Sequence, residues 1–136
     1  MPKKYATILN MIHIYDKKGF SPLLSLDADS LSNIDLQHAE LHEANLIEYN
    51  LSHADLRGAI LTNADLRFAN LSHADLRGTN LTDADLSNAN LDHALLDNAV
   101  LNNTILSNTT LPESFKKRQP TLNKLQSIPV KEEHQG

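Results

Sequence analysis

The side chains from which active sites are built recur in this chain at fixed intervals. The octapeptide Leu-Ser-His-Ala-Asp-Leu-Arg-Gly fills residues 51–58 and again 71–78. His53, Asp55 and Arg57 therefore return as His73, Asp75 and Arg77, and His93 extends the histidine series at the same spacing. Histidines brought side by side are ligands for zinc or copper, and a His–Asp pair can move protons. Arginine and aspartate recognise a partner through charge-assisted hydrogen bonds. Catalysis and metal binding both demand convergence: a nucleophile, base and orienting group facing one pocket, or a closed ligand shell. The chain has no cysteine, which removes disulfides, thiolate metal sites and cysteine nucleophiles. It also has neither a glycine-rich phosphate loop nor a His-Glu-x-x-His motif.

What positions these residues is a repeat. Leucine stands at every fifth position from Leu26 to Leu111, eighteen in unbroken series, and two places before it sits a small residue, usually alanine. The unit is Ala-(Asp/Asn)-Leu-x-x. A spacing of five fits neither standard element. On a helix each leucine would rotate about 140° from the last, and on a strand of period two alternate leucines would face opposite ways. The chain must turn within each unit. Residues 51–70 and 71–90 agree at 15 of 20 positions, whereas 51–60 and 61–70 agree at 6 of 10. Twenty residues repeat better than ten, so four units make one coil and residue n stacks on n+20 at about 4.8 Å.

These tandem units resemble those of the pentapeptide repeat family over residues 24–111. The resemblance implies an all-β solenoid, a right-handed quadrilateral β-helix of about four coils, with leucine and the small residue inward and the other positions outward. It does not fix function, because members of that family do many things.

Departures from the unit locate the ends. Asp29 occupies an inward position where a charge is costly, so regular coiling is expected from Leu31 or Ile34. Tyr49 is too large for its alanine site, and a local bulge with the ring turned outward is expected. Thr79, Thr104 and Thr109 replace the alanine more gently. Asn50, Asn70 and Asn90 share a column and are expected to form an amide ladder. Gly58 and Gly78 suit a corner or a close approach.

An open solenoid end needs a cap. Tyr5, Ile8, Leu9, Ile12 and Tyr15 recur at helical spacing, which predicts an amphipathic helix over 4–17 within an N-terminal cap of residues 1–23. At the other end the residue before leucine turns apolar in Leu95, Val100 and Ile105, which predicts a covered surface. Either the basic tail of residues 112–136 covers it, through Leu122, Leu125 and Ile128, or a second subunit does. The protein is thus a monomer or a homodimer through this end.

Charge narrows the partners. Residues 24–111 hold ten Asp and three Glu against three Arg, a net −10, while the flanks carry nine Lys and Arg against four carboxylates. A nucleic-acid binder places its positive charge on the folded body, so no direct nucleic-acid binding is expected. No apolar run is long enough for a membrane span, and a bacterial cytoplasmic protein is expected.

Three functional readings follow. The first is a non-enzymatic protein-interaction scaffold, with Phe68 as anchor and Arg57, Arg67 and Arg77 beside it, without cofactor. The second is an acidic DNA mimic presenting Asp55, Asp65, Asp75 and Asp85, as in members of the resembled family that inhibit bacterial DNA gyrase. Duplex DNA carries about twelve charges over roughly 20 Å, close to the acidic body. The third is metal binding along His53, His73 and His93. A grid of outward side chains diverges from its walls, which weighs against catalysis.

Overall fold

The computed structural model describes residues 11–118. Each pentapeptide begins with a tight turn: the amide of the small residue donates to the carbonyl of the leucine three before it, as in Ala54 to Leu51 and Ala59 to Leu56, at 3.1 and 3.0 Å. The third residue of that turn has positive φ throughout, for instance 59° at His53, 61° at Asn63 and 68° at Gly58. This is the signature of a type II turn. Four turn residues plus the one preceding the leucine make five, which is the physical origin of the period.

The residue before leucine forms a one-residue parallel bridge to its counterpart twenty positions on. The bridges run Asp35–Asp55–Asp75–Leu95, Glu40–Ile60–Asn80–Val100, Asn45–Asp65–Asp85–Ile105 and Asn50–Asn70–Asn90–Thr110. Four such columns define four sides, and an all-β solenoid results. Successive levels are joined by backbone bonds of 2.7–3.1 Å, such as Leu56 N–H to Asp75 carbonyl and Asp75 N–H to Ala54 carbonyl. Inside, the leucines from Leu41 to Leu86 have no exposed surface, with Ala44, Ala54, Ala64, Ala74 and Ala84 beside them. Where threonine replaces the inward alanine, its hydroxyl is satisfied. Thr79, Thr104 and Thr109 Oγ1 donate to the carbonyls of Leu56, Leu81 and Leu86 at 2.7, 2.8 and 2.7 Å. Among the described residues no buried side-chain polar atom lacks a partner.

The N-terminal end differs from the expected helix. Residues 11–15 form strand β1 (Met11–Tyr15), which pairs antiparallel with β2 (Pro22–Asp27); residues 4–10 lie outside the described residues. Two reasons favour a hairpin. The segment Met-Ile-His-Ile-Tyr alternates inward Ile12 and Ile14 with outward His13 and Tyr15, a period of two that the helical spacing masked. A strand edge also supplies bonds that a helix cannot: Tyr15 carbonyl accepts from Asn45 N–H at 2.8 Å, and Lys17 N–H donates to Glu43 carbonyl at 2.9 Å. Because β2 takes Leu23, Leu24 and Leu26, the first coil starts at Leu31, and Asp29 stays exposed.

Tyr49 makes no bulge. Its amide donates to Leu46 carbonyl, its carbonyl accepts from Asn70 N–H, and Asn50 pairs in register with Asn70. The ring is half-buried against the core, because no regular coil lies beneath it; it borders a cleft of about 430 Å³ shared with Ile12, His13, Asp29 and Leu31.

At the C-terminal end a short helix, α1 (Glu113–Arg118), lays Phe115 over the last coil. Leu122, Leu125 and Ile128 lie outside the described residues. No helix among the described residues is long and apolar enough to cross a membrane.

Candidate interaction surface

The positive-φ position explains much of the sequence's apparent chemistry. Left-handed backbone favours glycine, with asparagine, aspartate and histidine the most tolerant of the rest. In this chain that position holds Asn33, His38, His53, Gly58, Asn63, His73, Gly78, Asp83, Asn88, His93, Asn98, Asn103 and Asn108, with Glu43, Glu48 and Phe68 as the departures. His53, His73 and His93 therefore sit where the turn tolerates histidine. Their rings stack at centroid distances of 4.7 and 4.8 Å, with interplanar angles of 2° and 15°. Ring nitrogens hold metals in the ring plane at about 2.0–2.1 Å, and the lone pairs of parallel rings run side by side instead of meeting. Among the described residues no three His, Cys, Asp or Glu side chains are placed to hold an ion.

The aspartates serve the turns. Asp55, Asp65, Asp75 and Asp85 each accept, through Oδ1, the amide two residues on, at 2.9–3.2 Å. Asn50, Asn70, Asn80 and Asn90 do the same. This Asx-type bond is why Asp and Asn interchange before the leucine. It also replaces the expected amide ladder: among the described residues no side-chain hydrogen bond joins Asn50, Asn70 and Asn90, whose Oδ1 atoms accept amides within their own units.

Arg57, Arg67 and Arg77 fold back on the aspartates of the same units. Each makes two bonds, Nε to Oδ1 at 2.8–2.9 Å and Nη2 to Oδ2 at 2.6–2.8 Å. Arg57 also reaches Asp75 on the next level at 3.6 Å. The Arg57 and Arg77 guanidinium bonds hold the carboxyls of Asp55 and Asp75 below the usual range, against partial desolvation. At Asp65 burial pushes upward most strongly, but the bonds from Arg67 side chain and backbone together outweigh it. The unit of Asp85 carries serine in place of arginine, and Asp85 Oδ1 accepts the Ser87 hydroxyl at 2.6 Å. The four aspartates thus lie in two columns, with three of their charges paired locally.

Phe68 stands at φ 62° with 56% of its surface exposed. In its column Glu48 lies on the level before and Asn88 on the level after, and Arg67 precedes it in the chain. Leu95, Val100 and Ile105 are also exposed, at 46%, 38% and 46%. They cap three of the four columns and do not share a face with Phe68 as one patch. Two exposed side chains went unnoticed in the sequence. Ile60 takes an aspartate position midway along the solenoid. Phe20, 83% exposed, sits on the hairpin tip, where Asp16 Oδ1 accepts its amide at 3.0 Å. Phe20 was legible as an aromatic beside Gly19 in a turn. Among the described residues the outward groups form a grid that can present contacts.

Comparison with known proteins agrees with this geometry. The family model described as pentapeptide repeats matches residues 30–63, 44–83 and 79–114, with 8 copies. The crystal structure of Rfr23, a pentapeptide repeat protein from the cyanobacterium Cyanothece 51142, is 40% identical, with TM-score 0.57, over 58% of this chain and 54% of that one. That of alr5209, a pentapeptide repeat protein from Nostoc PCC 7120, is 38% identical over 60% of this chain and 76% of its own, with TM-score 0.36. QnrB1, a plasmid-mediated fluoroquinolone resistance protein, is 16% identical over 85% of this chain and 77% of its own at TM-score 0.32, too distant to carry an argument. No curated protein matches. With the turn, the column register and the family match all falling on the same residues, this chain belongs to the pentapeptide repeat family.

Proposed function

We propose that the protein is a non-catalytic binding module that docks a protein partner through the wall around Phe68. The observation that carries this reading is the cost of Phe68 where it stands. Left-handed backbone costs a residue with a Cβ about 1–2 kcal/mol, and the flanking units meet the same need with Asn63 and His73, residue types that tolerate it better than phenylalanine. More than half of the Phe68 surface, 56%, is left exposed to solvent. Strain held at an exposed aromatic is a mark of a functional position, and aromatic and arginine side chains dominate interface energetics. Arg67 lies next to it with its guanidinium already fixed by Asp65, so little side-chain freedom is lost when a partner binds.

The acidic DNA-mimic reading has the net charge of the body in its favour. Local pairing weighs against it: three of the four aspartates on which it rests are bound bidentately by arginine, which leaves alternating charge where duplex phosphate would be uniformly negative. The test is partner capture from the native host with wild-type and Phe68→Asn proteins, with thermal unfolding measured in parallel. Specific capture that is lost in a variant of unchanged or higher stability supports the proposal. Capture that is unaltered by the substitution removes Phe68 as the contact.

A further inference from the structure

The hairpin at the N-terminal end leaves one strand outermost. β1 docks on the first coil by its own edge: Tyr15 carbonyl accepts from Asn45 N–H, Lys17 N–H donates to Glu43 carbonyl, and Asp16 bridges Ala44 antiparallel. Backbone polar groups alternate sides along a strand. With Tyr15 turned to the coil, Ile14 and Ile12 are turned to β2, and their partners Leu24 and Leu26 to β1. The N–H and carbonyl groups of Ser25 and Asp27 therefore point away from β1. No strand lies beyond β2 among the described residues, and an outer edge of this kind is a template for a further strand.

The order of charge along the segment indicates which strand fits. Lys17, Lys18 and Phe20 stand at its start, and Asp27 and Asp29 at its end. Lys18, Asp27 and Asp29 are exposed, and none of them belongs to an ion pair among the described residues. A copy of the same segment laid antiparallel sets the basic end of each against the acidic end of the other, whereas a parallel copy sets like charges together. The antiparallel arrangement is two-fold symmetric and self-complementary. With Ser25 facing Ser25 of the second copy, Leu23 faces Asp27, Ser21 faces Asp29 and Phe20 faces Ser30. Ser30 borders the cleft of about 430 Å³ formed with Ile12, Leu31 and Tyr49. Phe20 is 83% exposed, and Asp16 Oδ1 holds the tip in place by accepting the amides of Phe20 and Ser21 at 3.0 and 3.3 Å. The same register thus brings an exposed aromatic on each copy to an apolar hollow on the other.

We infer that two copies of this chain associate through β2, edge to edge about a two-fold axis at Ser25, with Phe20 and Lys18 of each hairpin tip seated at the Asp29 end of the other. Backbone bonds from Ser25 and Asp27 join the two hairpins into one four-stranded sheet, the paired charges select the antiparallel direction, and burial of Phe20 anchors each end. The contact lies at the opposite end of the solenoid from Leu95, Val100 and Ile105.

Sedimentation velocity of the full chain over a concentration series, combined with cysteine cross-linking, tests this. The wild type should pass from monomer to dimer as concentration rises. Lys18→Glu should weaken the association at least about tenfold, and Lys18→Glu/Asp27→Lys/Asp29→Lys, which exchanges the two ends, should restore it. Because the chain has no cysteine, single substitutions read the register. Antiparallel bonded partners have Cα atoms about 5.5 Å apart, within disulfide range, so Ser25→Cys should oxidise to a covalent dimer. Asp27→Cys, on the same exposed edge but about 13 Å from its own counterpart, should not. A wild type that stays monomeric at millimolar concentration overturns the inference, as does a dimer indifferent to the Lys18 and Asp29 charges. Equal cross-linking at positions 25 and 27 also overturns it, because the edge is then in random collision or covered by something other than a second β2.

Discussion

Gly58 and Gly78 occupy equivalent positions on successive levels, with φ 68° and 71°, yet replacing them with alanine should have different consequences. A Cβ added at Gly78 would meet nothing closer than the Gly58 amide nitrogen at 3.8 Å, whereas at Gly58 it would lie 2.5 Å from Nδ1 and 2.6 Å from Cε1 of His38. Gly78→Ala therefore isolates the backbone effect. Left-handed strain of about 1–2 kcal/mol, less about 0.4–1 kcal/mol gained by restricting the unfolded chain, leaves a net loss near 1 kcal/mol. Gly58→Ala carries the same loss and must also displace the His38 ring. That displacement is an overpacking effect of about 1 kcal/mol, at the low end of its range because His38 is exposed. The expected losses are thus about 1 and about 2 kcal/mol, measured as the shift in urea midpoint at constant m-value. On a His38→Ala background the Gly58→Ala loss should fall to that of Gly78→Ala, a coupling that a double-mutant cycle reads directly. Stabilisation by either alanine would refute the left-handed assignment of the turn. Equal losses at both sites, unaffected by His38→Ala, would refute the packing of the His38 ring on Gly58.

The paired aspartates predict an acid transition. Their folded-state pKa values are lowered, so the stability they contribute is present above the unfolded carboxylate value of about 3.9 and is lost as pH falls through the lower folded values. Asp55→Asn/Asp65→Asn/Asp75→Asn retains the Oδ1 acceptor and should flatten the loss of stability below that pH, as followed by thermal unfolding across an acid series; an unchanged slope contradicts the pairing. Zinc should leave the melting temperature unchanged, since the stacked imidazoles do not converge, and a rise that vanishes in His73→Asn would reverse that reading. Leu71→Ala removes a leucine with no exposed surface from the middle of the stack and should cost about 2–5 kcal/mol in urea unfolding; a smaller loss would mean that the levels collapse around the gap.

The solenoid was legible because its signal is redundant. Leucine at every fifth position and identity at twenty state both the turn and the stacking, and each unit repeats the statement. The turn's left-handed residue was equally visible, since asparagine, aspartate, histidine and glycine crowd one position of the unit. It was obscured because histidine is more readily taken for chemistry than for a turn residue. The ends were harder to read, since each occurs once. Ile12 belongs both to a helical series with Ile8 and Tyr15 and to an alternating one with Ile14, and what decides between them is the first coil's exposed edge, a tertiary partner with no local trace. Tyr49 is hard to read for the same reason: by sequence its site matches the interior of a regular coil, whereas nothing regular lies below it. Phe68 was visible as an aromatic on a polar wall, but its strain emerges only from the backbone angle.

The identity of residues 51–58 and 71–78 poses a problem for folding that the hairpin and α1 together resolve. Two interchangeable segments can trade places, with one coil skipped and twenty residues looped out, at a closure entropy of about 2–3 kcal/mol plus the contacts of the missing level. Nothing within the repeats forbids the slipped register. The termini oppose it: the counterpart of Asp97 one level down is Arg77, which cannot accept from Arg118. Lys17 reaches from the hairpin to Asn63 on the second level at 3.3 Å, and Arg118 holds Asp97 on the last. They act as index marks on a self-similar thread, fixing which copy of a coil is which.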